Sequence, residues 1–80
     1  MRHLERKKVE AALKSLGFYR TGKMKHGGHV EYMREVDHKC CVCNTRKPTV
    51  GYENVYALGN ELETKGIIGR RDFINLVKTI

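Results

Sequence analysis

Apolar residues in the first sixteen positions recur at helical intervals. Val9, Ala12, Leu13 and Leu16 fall at i, i+3, i+4 and i+7, while Arg6, Lys7, Glu10 and Lys14 lie largely outside that stripe. Residues 2–16 therefore predict an amphipathic helix, with Leu4 extending the stripe and Gly17 standing where a C-cap glycine belongs. The period then changes. "FYRT", 18–21, is short and aromatic and reads as a strand. After Gly22 and the basic connection "KMKHGG", residues 29–36 alternate. Val30, Tyr32 and Val36 face one way; His29, Glu31, Met33 and Glu35 face the other, with Arg34 interrupting the apolar side near the strand end. Residues 37–49 are polar and punctuated, and predict an elaborated hairpin loop. Residues 50–58 read as a third strand, with Val50, Tyr52, Tyr56 and Leu58 on one face and Asn54 interrupting it. "GNELETKGIIG" is ambiguous between a capped helical turn and a loop, since Gly66 and Gly69 punctuate it. Phe73, Ile74, Val77 and Ile80 restore helical spacing from about Arg70 to the end.

The predicted order is α-β-β-β-α, an α+β fold. A three-stranded antiparallel sheet carries two helices packed on one face and leaves the other face open. His29 falls on that open face, away from the core. Residues 1–80 form a single domain, elaborated by a Cys-containing hairpin loop at about 37–49. A chain of this length buries roughly 60–65% of the surface its unfolded form exposes, enough for a thin two-layer core without a deep enclosed pocket.

Charge changes this picture. Lys and Arg outnumber Asp and Glu 16 to 9, a formal +7. Residues 1–28 hold eight basic and two acidic side chains (+6), residues 29–38 one and three (−2), and residues 39–80 seven and four (+3). A positive field concentrated at one end suits a polyanion, and an acidic protein partner would use the same field. No stretch approaches the roughly 18–20 apolar residues that span a bilayer. The N-terminus lacks the apolar segment of a secretory signal, so the expected setting is cytoplasmic. Three cysteines within residues 40–43 do not make a disulfide framework; reduced thiols or a metal site remain.

Three groups of residues invite chemistry. Gly27 and Gly28 precede His29 and follow Lys23 and Lys25. Bare amides beside lysines would cradle a phosphate, and an imidazole, with an ordinary pKa near about 6.5, moves protons readily at neutral pH. The plain alternative is a hairpin turn followed by a solvated histidine. Second, Cys40 and Cys43 form a C-x-x-C pair with Cys41 and His38 nearby. A structural zinc site needs four ligands, and the others could only come from His38, Cys41, His26 or His29. Lys39, Arg46 and Lys47 would favour reactive thiolates. Third, Arg70 and Arg71 begin the last helix, where an anion would offset their opposition to the helix dipole and Asp72 supplies part of one.

"LKSLGFYR", "KHGGHVEYM" and "RDFINLVK", taken in this order of elements, resemble the HicA family, the small mRNA interferase toxins of toxin–antitoxin pairs. The first resembles the family's opening helix and turn into a strand. The second resembles its basic turn, glycine and histidine before an aromatic-bearing strand, with Gly28 where Ser or Thr is usual. The third resembles its closing amphipathic helix. The resemblance implies a fold like a double-stranded-RNA-binding domain and an endoribonuclease needing no cofactor or metal. It places the catalytic role on His29, with Gly27 as the motif glycine. It also implies RNA as substrate and a HicB-like antitoxin as partner. Lys23, Lys25, Gly28 or Arg20 would then hold the phosphate and stabilise its added charge. Two other readings stay open: a non-catalytic basic nucleic-acid-binding module, and a small zinc-stabilised adaptor built on His38, Cys40, Cys41 and Cys43.

Overall fold

The computed structural model describes residues 3–25, 29–45 and 47–80. In chain order these form β1 (His3–Glu5), α1 (Arg6–Ser15), β2 (Phe18–Lys25), β3 (His29–Arg34), β4 (Cys40–Cys43), β5 (Thr49–Gly51), α2 (Tyr52–Thr64) and α3 (Arg70–Thr79). Strands β2, β3 and β4 make a three-stranded antiparallel sheet in that order, and β1 pairs with β5 in a small antiparallel ribbon. The α+β class and the antiparallel three-stranded sheet are those the sequence predicts. Val9 and Leu13 of α1, Val55 and Leu62 of α2, and Phe73 and Val77 of α3 are buried in one core with Phe18, Val30, Tyr32, Cys41 and Cys43 of the sheet. Among the described residues no helix is long and apolar enough to cross a membrane.

The helix α1 begins at Arg6 rather than at residue 2. Leu4 is drawn into β1, where pairing with Val50 buries both. Gly17 takes φ +93° just after α1 and donates its N–H to the Lys14 carbonyl (2.9 Å), the left-handed turn its position predicts.

The third strand is not at 50–58. It is β4, inside the segment read as a loop, and Tyr52–Thr64 is helical. Val55, Leu58, Gly59 and Leu62 are the buried residues of α2, spaced i, i+3, i+4 and i+7. The strand-forming character of Val and Tyr is a weaker influence than this continuous stripe. In β4, Cys41 and Cys43 are buried while Cys40 and Val42 are half-buried, the alternation of a half-buried strand. Cysteine serves there as a small hydrophobe.

The ambiguous stretch after Leu58 continues α2 and then stops it. Gly66, at φ +74°, donates to the Glu63 carbonyl (3.0 Å) and Ile67 donates to the Leu62 carbonyl (3.0 Å), closing the helix in a Schellman turn. Val36, read as part of the apolar face, is 81% exposed beyond the end of β3. Arg34 ends that strand instead by binding the Asp37 carboxylate through Nη2 (2.9 Å) and Nε (3.3 Å) across the turn. Burial alone would raise the Asp37 pKa. The N–H of Lys39 and the Arg34 guanidinium outweigh it and hold the carboxyl below its usual range.

Candidate active site

The hairpin of β2 and β3 carries Arg20, Lys23, Lys25 and His29. Its register runs Arg20↔Tyr32 and then Met24↔Val30, so two extra residues on β2 form a bulge at 21–23. Gly22 sits in it at φ +86°, a backbone conformation that favours glycine. Thr21 donates its hydroxyl to Glu31 Oε1 (2.7 Å) and accepts the N–H of Lys23 (3.2 Å), so the bulge folds over Glu31. Glu31 is therefore buried rather than solvated, although strand alternation gives it the face that His29 and Met33 share. Lys23 is exposed on the bulge, and Lys25 pairs in register with His29.

His29 opens β3 and is half-buried, opposite in sense to buried Val30. It lines a cavity of about 150 Å³ with Val42, Asn44, Asn54, Ala57 and Glu61 among its walls. The wall from α2 exists because that helix runs along the free edge of β4. Cys40 and Val42 turn their backbone groups away from β3, and side chains of α2 meet them. Lys65 Nζ donates to the Cys40 carbonyl, and the Val42 N–H approaches Glu61 Oε1 (3.5 Å). Lys65 and Glu61 also pair with each other at 3.2 Å, and Lys39 Nζ donates to the Lys65 carbonyl. Asn54 and Glu61, absent from the sequence-based candidates, thus join His29. The helical stripe of α2 was the signal that would have found them.

Arg20 is committed elsewhere. Its register position opposite Tyr32 turns it toward α1, where Nη2 (2.7 Å) and Nε (3.1 Å) donate to Glu10 Oε2. The Tyr32 hydroxyl donates to the same oxygen (3.1 Å) and therefore accepts its 2.7 Å hydrogen bond from Thr45. Burial, the largest influence on Tyr32, raises its pKa and keeps the phenol protonated. This Arg20–Glu10–Tyr32–Thr45 network ties α1 to the sheet and leaves Arg20 a structural role.

Arg70 is likewise occupied. Its N–H donates to Glu63 Oε1 (2.6 Å), its Nη1 to Asn60 Oδ1 (3.1 Å), and its guanidinium lies 4.6 Å over the Tyr56 ring. The anion at the start of α3 is thus Glu63, joined by Asp72.

The cysteine motif does not converge. Cys41 and Cys43 point into the core, Cys40 points to the opposite face, and His38 stands in the turn at φ +56°. Among the described residues no three His, Cys, Asp or Glu side chains form a metal-binding group. Burial, first among the causes, pushes the thiols of both Cys41 and Cys43 up to about 12, which leaves them neutral and unreactive. His26, Gly27, Gly28 and Arg46 lie outside the described residues. A comparison with protein-family models, with curated proteins and with solved structures returns no match for this chain.

Proposed function

We propose that the chain is an endoribonuclease of the HicA type, a cytoplasmic mRNA interferase held in check by an antitoxin. The observation that carries this reading is His29, half-buried at the head of β3 beside a small cavity, with exposed Lys23 on the preceding bulge. A fully buried histidine would serve packing. One free in solvent would lack a surface against which to hold a reacting group.

The chemistry follows from RNA itself. Neutral His29 accepts the proton of the ribose 2′-OH as that oxygen attacks the adjacent phosphorus. The bond from phosphorus to the 5′-oxygen breaks, and the proton passes on to that leaving oxygen. The products are a 2′,3′-cyclic phosphate and a 5′-hydroxyl. Proton transfer of this kind contributes about 10²–10⁴-fold. Lys23 and Lys25 supply positive charge for the phosphate as negative charge builds on it. Arg20 is not included, since Glu10 holds its guanidinium. The steps require no metal. A HicB-like antitoxin of acidic character would be drawn to the +7 chain by the field that draws RNA.

The test is His29→Ala. RNA cleavage and growth inhibition should fall by about 10²-fold or more, with circular dichroism and melting temperature retained and with wild-type cleavage persisting in EDTA. A variant that cleaves and poisons as the wild type does removes His29 from the mechanism. Steeply salt-dependent RNA binding with no cleavage by the wild type would establish a binding module instead.

A further inference from the structure

The cavity at His29 is too small for a nucleotide. Small-molecule sites run to about 300–1,000 Å³, and this one is about 150 Å³. It has a larger neighbour of about 330 Å³, and both are walled by the same two side chains, Asn44 and Asn54. That neighbour is also lined by His3, Lys47 and Glu53. It continues in turn through His3 into a third cavity, where Lys8 and Lys78 are found. These cavities follow one another away from His29, past β4, β5 and the start of α2 to His3 and then to β1, α1 and α3. Their walls carry the carboxylates of Glu61, Glu53 and Glu5 beside the basic groups.

We infer that the cavity of His3, Asn44, Lys47, Glu53 and Asn54 is a nucleotide subsite, receiving the nucleotide next to the phosphate at His29 and reading its base edge. This rests on the ribonuclease reading for the phosphate that is cut, but its affinity is measurable without cleavage. The side chains divide by role. Each Asn amide offers an acceptor and two donors, matching the mixed pattern of a base edge. The Glu53 carboxylate only accepts, and so selects a base that presents donors. Lys47 and His3 face the strand with cationic or donor groups suited to phosphate oxygens. Sequence-specific RNA readers work on unpaired bases, so the ligand is single-stranded RNA.

The test uses the His29→Ala chain and a fluorescent single-stranded RNA decamer of mixed sequence. In that background Lys47→Ala should weaken binding about threefold to tenfold and reduce the slope of log K against log salt by about 0.7, the loss of one phosphate contact. Asn54→Ala should weaken binding about fivefold and leave the salt slope unchanged, because it removes a base contact rather than a charge. Melting temperatures close to the parent confirm that each variant is folded. In the active chain Glu53→Gln should redistribute cleavage among the sites of a mixed-sequence RNA, since an amide adds donors where the carboxylate had none. Parent-like affinity in both Lys47→Ala and Asn54→Ala overturns the subsite, and an unchanged cleavage map overturns the role of Glu53. If the wild type binds RNA without cutting it, and those two variants still weaken binding, the subsite stands and the ribonuclease reading falls. An absence of RNA binding overturns both.

Discussion

Cys41 and Cys43 illustrate how position along a strand decides the chemistry of a side chain. Cys40 is their near neighbour in sequence, yet alternation sends it to the other face, half-buried, with its thiol near the His38 carbonyl (3.8 Å). At about pH 8 a thiol-reactive disulfide should titrate Cys40 quickly, and Cys41 and Cys43 only as the protein unfolds. Equal rates at all three would contradict their burial. The pH dependence has a definite sign. The ordinary thiol value is 9.0, and burial raises both core thiols to about 12. The unfolded chain therefore releases these protons first. Their contribution to stability is whole below pH 9.0 and is lost as pH rises toward about 12. Denaturant midpoints should hold level up to about pH 9 and then fall, and Cys41→Ala should make that fall shallower.

At the scale of elements, α2 decides the site. It covers the β4 edge with Glu61 and Lys65, supplies Asn54 to the His29 cavity, and packs on α3 through Gly59. A Cβ at position 59 would lie 3.0 Å from Arg70 Cγ and 3.3 Å from the Arg70 carbonyl oxygen. The glycine thus permits the two helices to approach closely, despite the roughly 1 kcal/mol that glycine costs inside a helix. Gly59→Val should lower stability by about 1–3 kcal/mol in urea unfolding, through overpacking against the Arg70 backbone. A wild-type midpoint for that variant would mean that α2 and α3 are not in contact there. The Schellman turn at Gly66 belongs to the same scale, since it ends α2 and lets α3 return across the core.

For the whole molecule, the governing quantity is the +7 charge. Its densest part, residues 1–28, contains α1 and the basic strand β2. Affinity for RNA should fall steeply with salt, and single-stranded DNA of equal length should bind with a similar salt slope, because that slope counts phosphates. DNA lacks the 2′-hydroxyl, so the proposed reaction predicts binding without cleavage. A chain that cuts both polymers alike works by some other route. If the proposed acidic antitoxin is its partner, association should slow markedly as ionic strength rises, whereas dissociation should change little.

The sequence by itself determined the amphipathic helices α1 and α3, the β2–β3 hairpin, the C-cap at Gly17 and the exclusion of His29 from the core. Each follows from local periodicity or from the conformational freedom of one residue. It also held the charge asymmetry, which folding does not alter. Only the tertiary structure decided that the cysteine segment is a strand and that Tyr52–Thr64 is a helix. Val, Tyr and Cys fit either a strand or a buried helical stripe, and the partner surface selects between them. It alone paired the Arg20 guanidinium with Glu10 and set the Arg70 backbone N–H on the Glu63 carboxylate, since such contacts depend on register and packing. The walls of the His29 cavity come from residues up to 32 positions away, Glu61 the farthest, a proximity that no local pattern encodes.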